Sequence, residues 1–116
     1  MIKLYGIPNC DTVKKARNWL AENDITFEFV NFKNDAPSVA LINGWLEQIP
    51  LETLLNKRGT TWRKLDAESQ AKAAEKSGAV VLMAENPSLI KRPILAENGR
   101  FHAGFSEENY RKIFGK

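Results

Sequence analysis

The alternation of apolar and polar positions divides the chain into short segments of differing period. Ile2, Leu4 and Tyr5 form a brief apolar run bounded by Gly6 and Pro8, the mark of a buried strand. From Asp11 the period changes: Val13, Ala16, Trp19 and Leu20 recur at helical spacing, with Asn9 and Asp11 placed to supply cap oxygens. Thr26 to Phe32 returns to the aromatic and branched composition of a strand. A helix between two strands is a βαβ unit, so these two strands are expected to be parallel.

The middle of the chain reads as helix after helix. Val39, Ile42, Trp45, Leu46 and Ile49 follow the turn cluster Asn34 to Ser38, and Pro50 breaks the pattern. Leu51, Leu54 and Leu55 predict a short helix ended by Asn56 to Gly59, with Thr60 to Trp62 as a loop. A shallowly packed helix is expected from Asp66 to Lys76, ended by Gly78, and another over Val80 to Glu85. Strand character resumes at Pro93 to Ala96, and Asn98-Gly99 is a type I′ hairpin signal leading into Arg100 to Phe105. Ser106 caps a last helix carrying Tyr110, Ile113 and Phe114, with Glu107 and Glu108 placed well against its dipole. The expected architecture is α/β: a mixed four-stranded sheet of thioredoxin-like order, with a helical insertion at about 38–88 between the βαβ unit and the C-terminal hairpin.

Length and composition fit that outline. At 116 residues and 43% hydrophobic content the chain is expected to form a single domain, 1–116, with a modest core. One cysteine excludes an internal disulfide framework. No basic segment leads into a long apolar run at the N-terminus, and no stretch approaches the roughly 18 apolar residues of a membrane helix. A cytoplasmic monomer without membrane contact, without a metal site and without direct nucleic-acid binding is the expectation. The formal charge of +3 is modest, but Lys57, Arg58, Arg63, Lys64, Lys91 and Arg92 are cations a fold can gather around a small anion.

Chemistry concentrates at Cys10. A lone cysteine can be a small buried hydrophobe. This one falls between a strand and a helix, where unpaired amides and the helix dipole favour thiolate over thiol. Position 13, where a Cys-x-x-Cys motif carries its second thiol, holds Val13, so any redox cycle must take its second thiol from outside.

The segments Tyr5-Gly6-Ile7-Pro8-Asn9-Cys10-Asp11-Thr12, Arg58-Gly59-Thr60-Thr61-Trp62-Arg63-Lys64-Leu65 and Ile90-Lys91-Arg92-Pro93-Ile94 resemble the ArsC/Spx family, in order and spacing, and most of all its YffB-type members. The resemblance implies a nucleophile at Cys10, a substrate-binding arginine at Arg92, and a cis proline at Pro93. Arsenate reductases of the family complete the reaction with glutathione and glutaredoxin. They hold the oxyanion with three arginines, two of which are matched here by Asn56 and Gly104. Arg58 is a substitute if its loop turns inward, with Arg63 and Arg100 as alternatives. A histidine that precedes the cysteine in those reductases is replaced near Gly6, and the lone His102 is expected to be an exposed strand residue.

The expected function is therefore a glutathione-dependent thiol–disulfide reductase, with Cys10 attacking a disulfide or a glutathione mixed disulfide and an external thiol resolving the intermediate. Glutathione is the reducing co-substrate and no cofactor is bound. Arg92, Arg58, Asn9, Pro93 and Lys14 are the substrate-binding candidates, and a small thiol, an oxyanion or a protein thiol is the partner. Arsenate reduction is one alternative. The other is a non-catalytic regulator of the Spx type, which binds RNA polymerase.

Overall fold

The computed structural model describes residues 1–116. In chain order its elements are β1 (Lys3–Gly6), α1 (Asp11–Glu22), β2 (Glu28–Asn31), α2 (Val39–Leu46), α3 (Leu51–Leu54), α4 (Thr60–Lys64), α5 (Ala67–Lys72), α6 (Lys76–Glu85), a 3-10 turn (Pro87–Leu89), β3 (Ile94–Glu97), β4 (Arg100–Ala103) and α7 (Glu107–Phe114). Two compact units result: Met1–Lys33 with Arg92–Lys116, and Asn34–Lys91.

The first unit is built on one mixed sheet in the order β2-β1-β3-β4. β1 pairs parallel with β2, as a βαβ unit requires, and antiparallel with β3, which forms a hairpin with β4. Asn98 and Gly99 at the hairpin tip have φ of 48° and 79°, the two positive values that a type I′ turn demands. The register sets Leu4 opposite Leu95, and both are fully buried with Ala16, Trp19 and Leu20 of α1 and Tyr110 of α7. Aromatic rings knit this core, with Tyr110 meeting Phe105 edge-on at 4.7 Å and Trp19 at 5.7 Å. Such pairs contribute about 0.5–1.5 kcal/mol each beyond burial. Burial pushes the Tyr110 phenol up, so it stays protonated.

In the second unit α2 and α5 pack on α6, burying Ile42 and Trp45 of α2 with Val80, Leu82 and Met83 of α6. A bridge between Leu55 and Ile90 is flanked by bonds from Asn56 N to Leu89 O (2.7 Å) and Lys91 N to Leu54 O (2.8 Å). Three sequence expectations fail in this unit. Thr60 to Trp62 is helical, not a loop: α4 is a helix of five residues with no buried member, too short to display an apolar period. The helix expected from Asp66 to Lys76 stops at Lys72, although Asp66 does cap it, accepting from Ser69 N at 2.7 Å. Gly78 lies inside α6 and does not terminate a helix. A Cβ there would stand 2.1 Å from the Lys72 carbonyl oxygen, so glycine is needed where the end of α5 closes on α6. No helix of the chain is long and apolar enough to cross a membrane.

Candidate active site

Strand β1 ends at Gly6, and a tight turn, with Cys10 N bonded to Ile7 O at 3.4 Å, delivers Cys10 to the N-cap position of α1. Cys10 is extended, at φ −93° and ψ 126°, and its carbonyl accepts from Lys14 N at 2.9 Å. The expected cap from Asn9 or Asp11 is not made. Cys10 itself holds the cap position, Asn9 precedes it and Asp11 is already helical, so no side-chain oxygen serves the first turn. The amides of Val13 and Thr12 instead bond the Cys10 sulfur.

Gly6 and Val13 hold this arrangement tight. Val13 is fully buried, and a Cβ on Gly6 would lie 2.8 Å from its Cγ2. Any larger residue at position 6 would push against a stiff branched side chain whose own amide faces the thiol. The position of a second motif cysteine is thus filled by a packed valine, and Cys10 is free and half-buried.

Arg92 and Pro93 approach from β3. The Arg92–Pro93 peptide is cis. Tyr5 pairs with Ile94, so the residues just before β3 lie beside the end of β1, where the cysteine turn begins. Gly104 N bonds Pro93 O at 2.8 Å and ties the far end of β4 to the same place. The Arg92 guanidinium reaches the Cys10 sulfur. Burial pushes the thiol up, but the Val13 amide, the hydrogen bond from Arg92, the Thr12 amide and the Arg92 charge outweigh it. Cys10 consequently titrates below an ordinary thiol.

The structure thus joins Cys10, Arg92 and Pro93 in the first unit. Asn9 is exposed in the turn before Cys10, and Lys14 is exposed on α1 one turn beyond it. Arg58 belongs to the second unit, where it is exposed. There its amide donates to Asn56 Oδ1 (3.0 Å), its carbonyl accepts from Arg63 (2.9 Å), and Lys57 stands 5.3 Å from the Trp62 ring centroid. His102 is not the exposed strand residue expected. It is half-buried, its Nε2 3.0 Å from Oε2 of the buried Glu97, because a hairpin whose register pairs Glu97 with Arg100 makes His102 a diagonal neighbour on the same face. Sequence reasoning missed this pair and the role of Gly6. A glycine at a strand end was the available signal for the latter.

The ArsC family model matches residues 5–113. The chain is 42% identical over 114 residues to an uncharacterised protein of Haemophilus influenzae, covering 98% of this chain and 99% of that one. It is 31% identical over 113 residues to the global transcriptional regulator Spx 2 of Lactococcus lactis, covering 96% and 84%. Among solved structures the YFFB protein matches with a TM-score of 0.92 at 38% identity, covering 97% of each chain. With its thioredoxin-like mixed sheet and a lone cysteine at the start of α1, the chain belongs to the ArsC family, on the side of its YffB-type and Spx-like members.

Proposed function

We propose that the protein is a thiol–disulfide reductase that uses glutathione as reducing co-substrate and carries no bound cofactor. One observation supports this above the others: the sole cysteine is held with a lowered pKa by two amides and a guanidinium, while Val13 fills the place of a resolving thiol. The Cys10 thiolate attacks the glutathionyl sulfur of a mixed disulfide. The old S–S bond breaks, the substrate thiolate leaves and takes a proton from water, and glutathione remains on Cys10. A second glutathione thiolate then attacks that adduct, releasing oxidised glutathione and restoring the Cys10 thiolate. Arg92 serves the sulfur and the glutathione carboxylates, a task for which a planar guanidinium is well shaped.

Arsenate is a poorer fit. Asn56 and Gly104 bring no charge where the family's reductases place two of three arginines. Gly104 has φ +81°, a backbone that an arginine rarely adopts.

The test is a glutathione-coupled assay with intact-protein mass spectrometry. A glutathione adduct on Cys10 should accumulate when free glutathione is withheld, turnover should vanish in Cys10→Ser, and arsenate should be turned over poorly. Efficient arsenate turnover would reverse the ranking of substrates. The likeness to Spx 2 over 96% of the chain favours a second reading, a regulator that binds and does not turn over. Absence of any Cys10-dependent turnover, together with retention of RNA polymerase in a pull-down, would establish it in place of the reductase.

A further inference from the structure

A recess of about 360 Å³ opens on the exposed side of α1, lined by Lys14, Arg17, Asn18 and Ala21 of the helix and by Phe27 just before β2. The four helix positions follow the i, i+3, i+4, i+7 spacing of a single face, flanking the buried stripe of Val13, Ala16 and Leu20. Its walls carry two cations and no carboxylate. The ion pairs of the molecule lie elsewhere, at Glu97–His102, Glu107–Arg111 and Glu108–Lys112, so neither Lys14 nor Arg17 is held in a salt bridge. Arg17 is half-buried and fixed, its guanidinium 4.3 Å from the Phe29 ring centroid, which orders the side chain before any ligand arrives. Asn18 adds both a donor and an acceptor, and Phe27 an apolar wall.

The recess begins about one turn of α1 beyond Cys10. Lys14 is four residues past Cys10, about 6 Å along the helix axis, and Arg17 is about 10 Å along. An extended peptide advances roughly 3.3 Å per residue. We propose that this recess is the docking site for the leaving side of a protein substrate. It would select segments with acidic residues two to four positions from the cysteine that is released. The proposal rests on the thiol-exchange reading above and adds its substrate class. Two cations outside any salt bridge, one of them pre-ordered over Phe29, complement two carboxylates spaced along one strand. The chemistry at sulfur is unchanged: the mixed disulfide bond breaks, the Cys10–glutathione bond forms, and the departing acidic peptide carries away the protonated thiol.

The test compares glutathionylated peptides that differ only at those flanking positions, bearing Asp and Glu, Asn and Gln, or Lys. Single-turnover release of peptide thiol is measured at low and high salt. The acidic peptide should react about three- to tenfold faster than the neutral one at low salt, and the basic peptide more slowly. That ratio should collapse in the Lys14→Gln/Arg17→Gln double variant and invert in Arg17→Glu. Comparing each variant with itself on the neutral peptide removes any loss of folding or of Cys10 reactivity. A ratio unmoved by the substitutions overturns the proposal.

A second measurement separates this inference from the reductase reading. The acidic peptide with Ser in place of its cysteine, titrated into the full chain, should shift the backbone amide resonances of residues 14–21 and of Phe27, and should not do so in the double variant. Shifts there without any exchange would retain the docking site and remove the reductase. Exchange without those shifts would do the reverse.

Discussion

Two helices of the same unit begin in opposite ways. At α7, Ser106 Oγ accepts from Asn109 N at 3.1 Å, Glu107 and Glu108 sit in the first turn and pair with Arg111 (2.6 Å) and Lys112 (3.5 Å), and Gly115 at φ 66° closes the far end. Every device there serves the helix. At α1 the cap residue is Cys10, no side-chain oxygen serves the first turn, and the amides of Val13 and Thr12 face a sulfur together with Arg92. Both starts present the same unpaired donors. One uses them for stability, and the other keeps them for an anion that exists only when the thiol ionises. A helix start without an oxygen cap is therefore informative when a titratable atom stands in its place.

The comparison can be broken at Arg92 first. Arg92→Ala should slow reaction of Cys10 with a glutathione mixed disulfide by about tenfold or more, since charge-assisted hydrogen bonds carry roughly 1.5–3 kcal/mol. A neutral alkylating agent should be affected less. Equal losses with both reagents would confine Arg92 to the thiol's ionisation. Gly6→Ala comes next. Forcing a Cβ against Val13 should destabilise the fold by about 1–3 kcal/mol, read by denaturant unfolding, and should raise the Cys10 titration midpoint as the Val13 amide moves. Unchanged alkylation in a destabilised Gly6→Ala would show the amide geometry to be irrelevant. At the other helix Ser106→Ala should cost about 1 kcal/mol and leave Cys10 chemistry alone.

A smaller effect is expected in the pH dependence of stability. Cys10 titrates lower folded than unfolded, so its contribution is complete above the unfolded thiol value of about 8.5 and is lost as pH falls through the folded value. The stability of the wild type relative to Cys10→Ser should therefore rise with pH up to the unfolded thiol value of about 8.5 and level off above it. A flat difference would mean the thiolate gains nothing from the fold.

The sheet was legible because its signals are local. Leu4 and Tyr5 beside Gly6 marked β1, Asn98-Gly99 marked the hairpin, and Ser106 marked α7, each within a few residues. Cys10 was legible for the same reason, since the change of period at Asp11 put it at a helix start. The shortfalls are non-local. Gly78 looked like a terminator because its close neighbour, the Lys72 carbonyl, meets it only after the chain has turned between α5 and α6. His102 looked exposed because Glu97 reaches it only across the folded hairpin. Lys14 was visible as a binding candidate but Arg17 was not singled out, because the recess they share exists only once the fold places Phe27 and Phe29 beside them.

The most direct test of the account is the rate of Cys10 alkylation by a neutral reagent as a function of pH. The amides of Val13 and Thr12 and the Arg92 guanidinium predict a midpoint below the free-thiol value of about 8.5, moving upward in Arg92→Ala. A midpoint at or above that value in the wild type, unmoved by Arg92→Ala, would contradict the claim that α1 begins as a thiolate site.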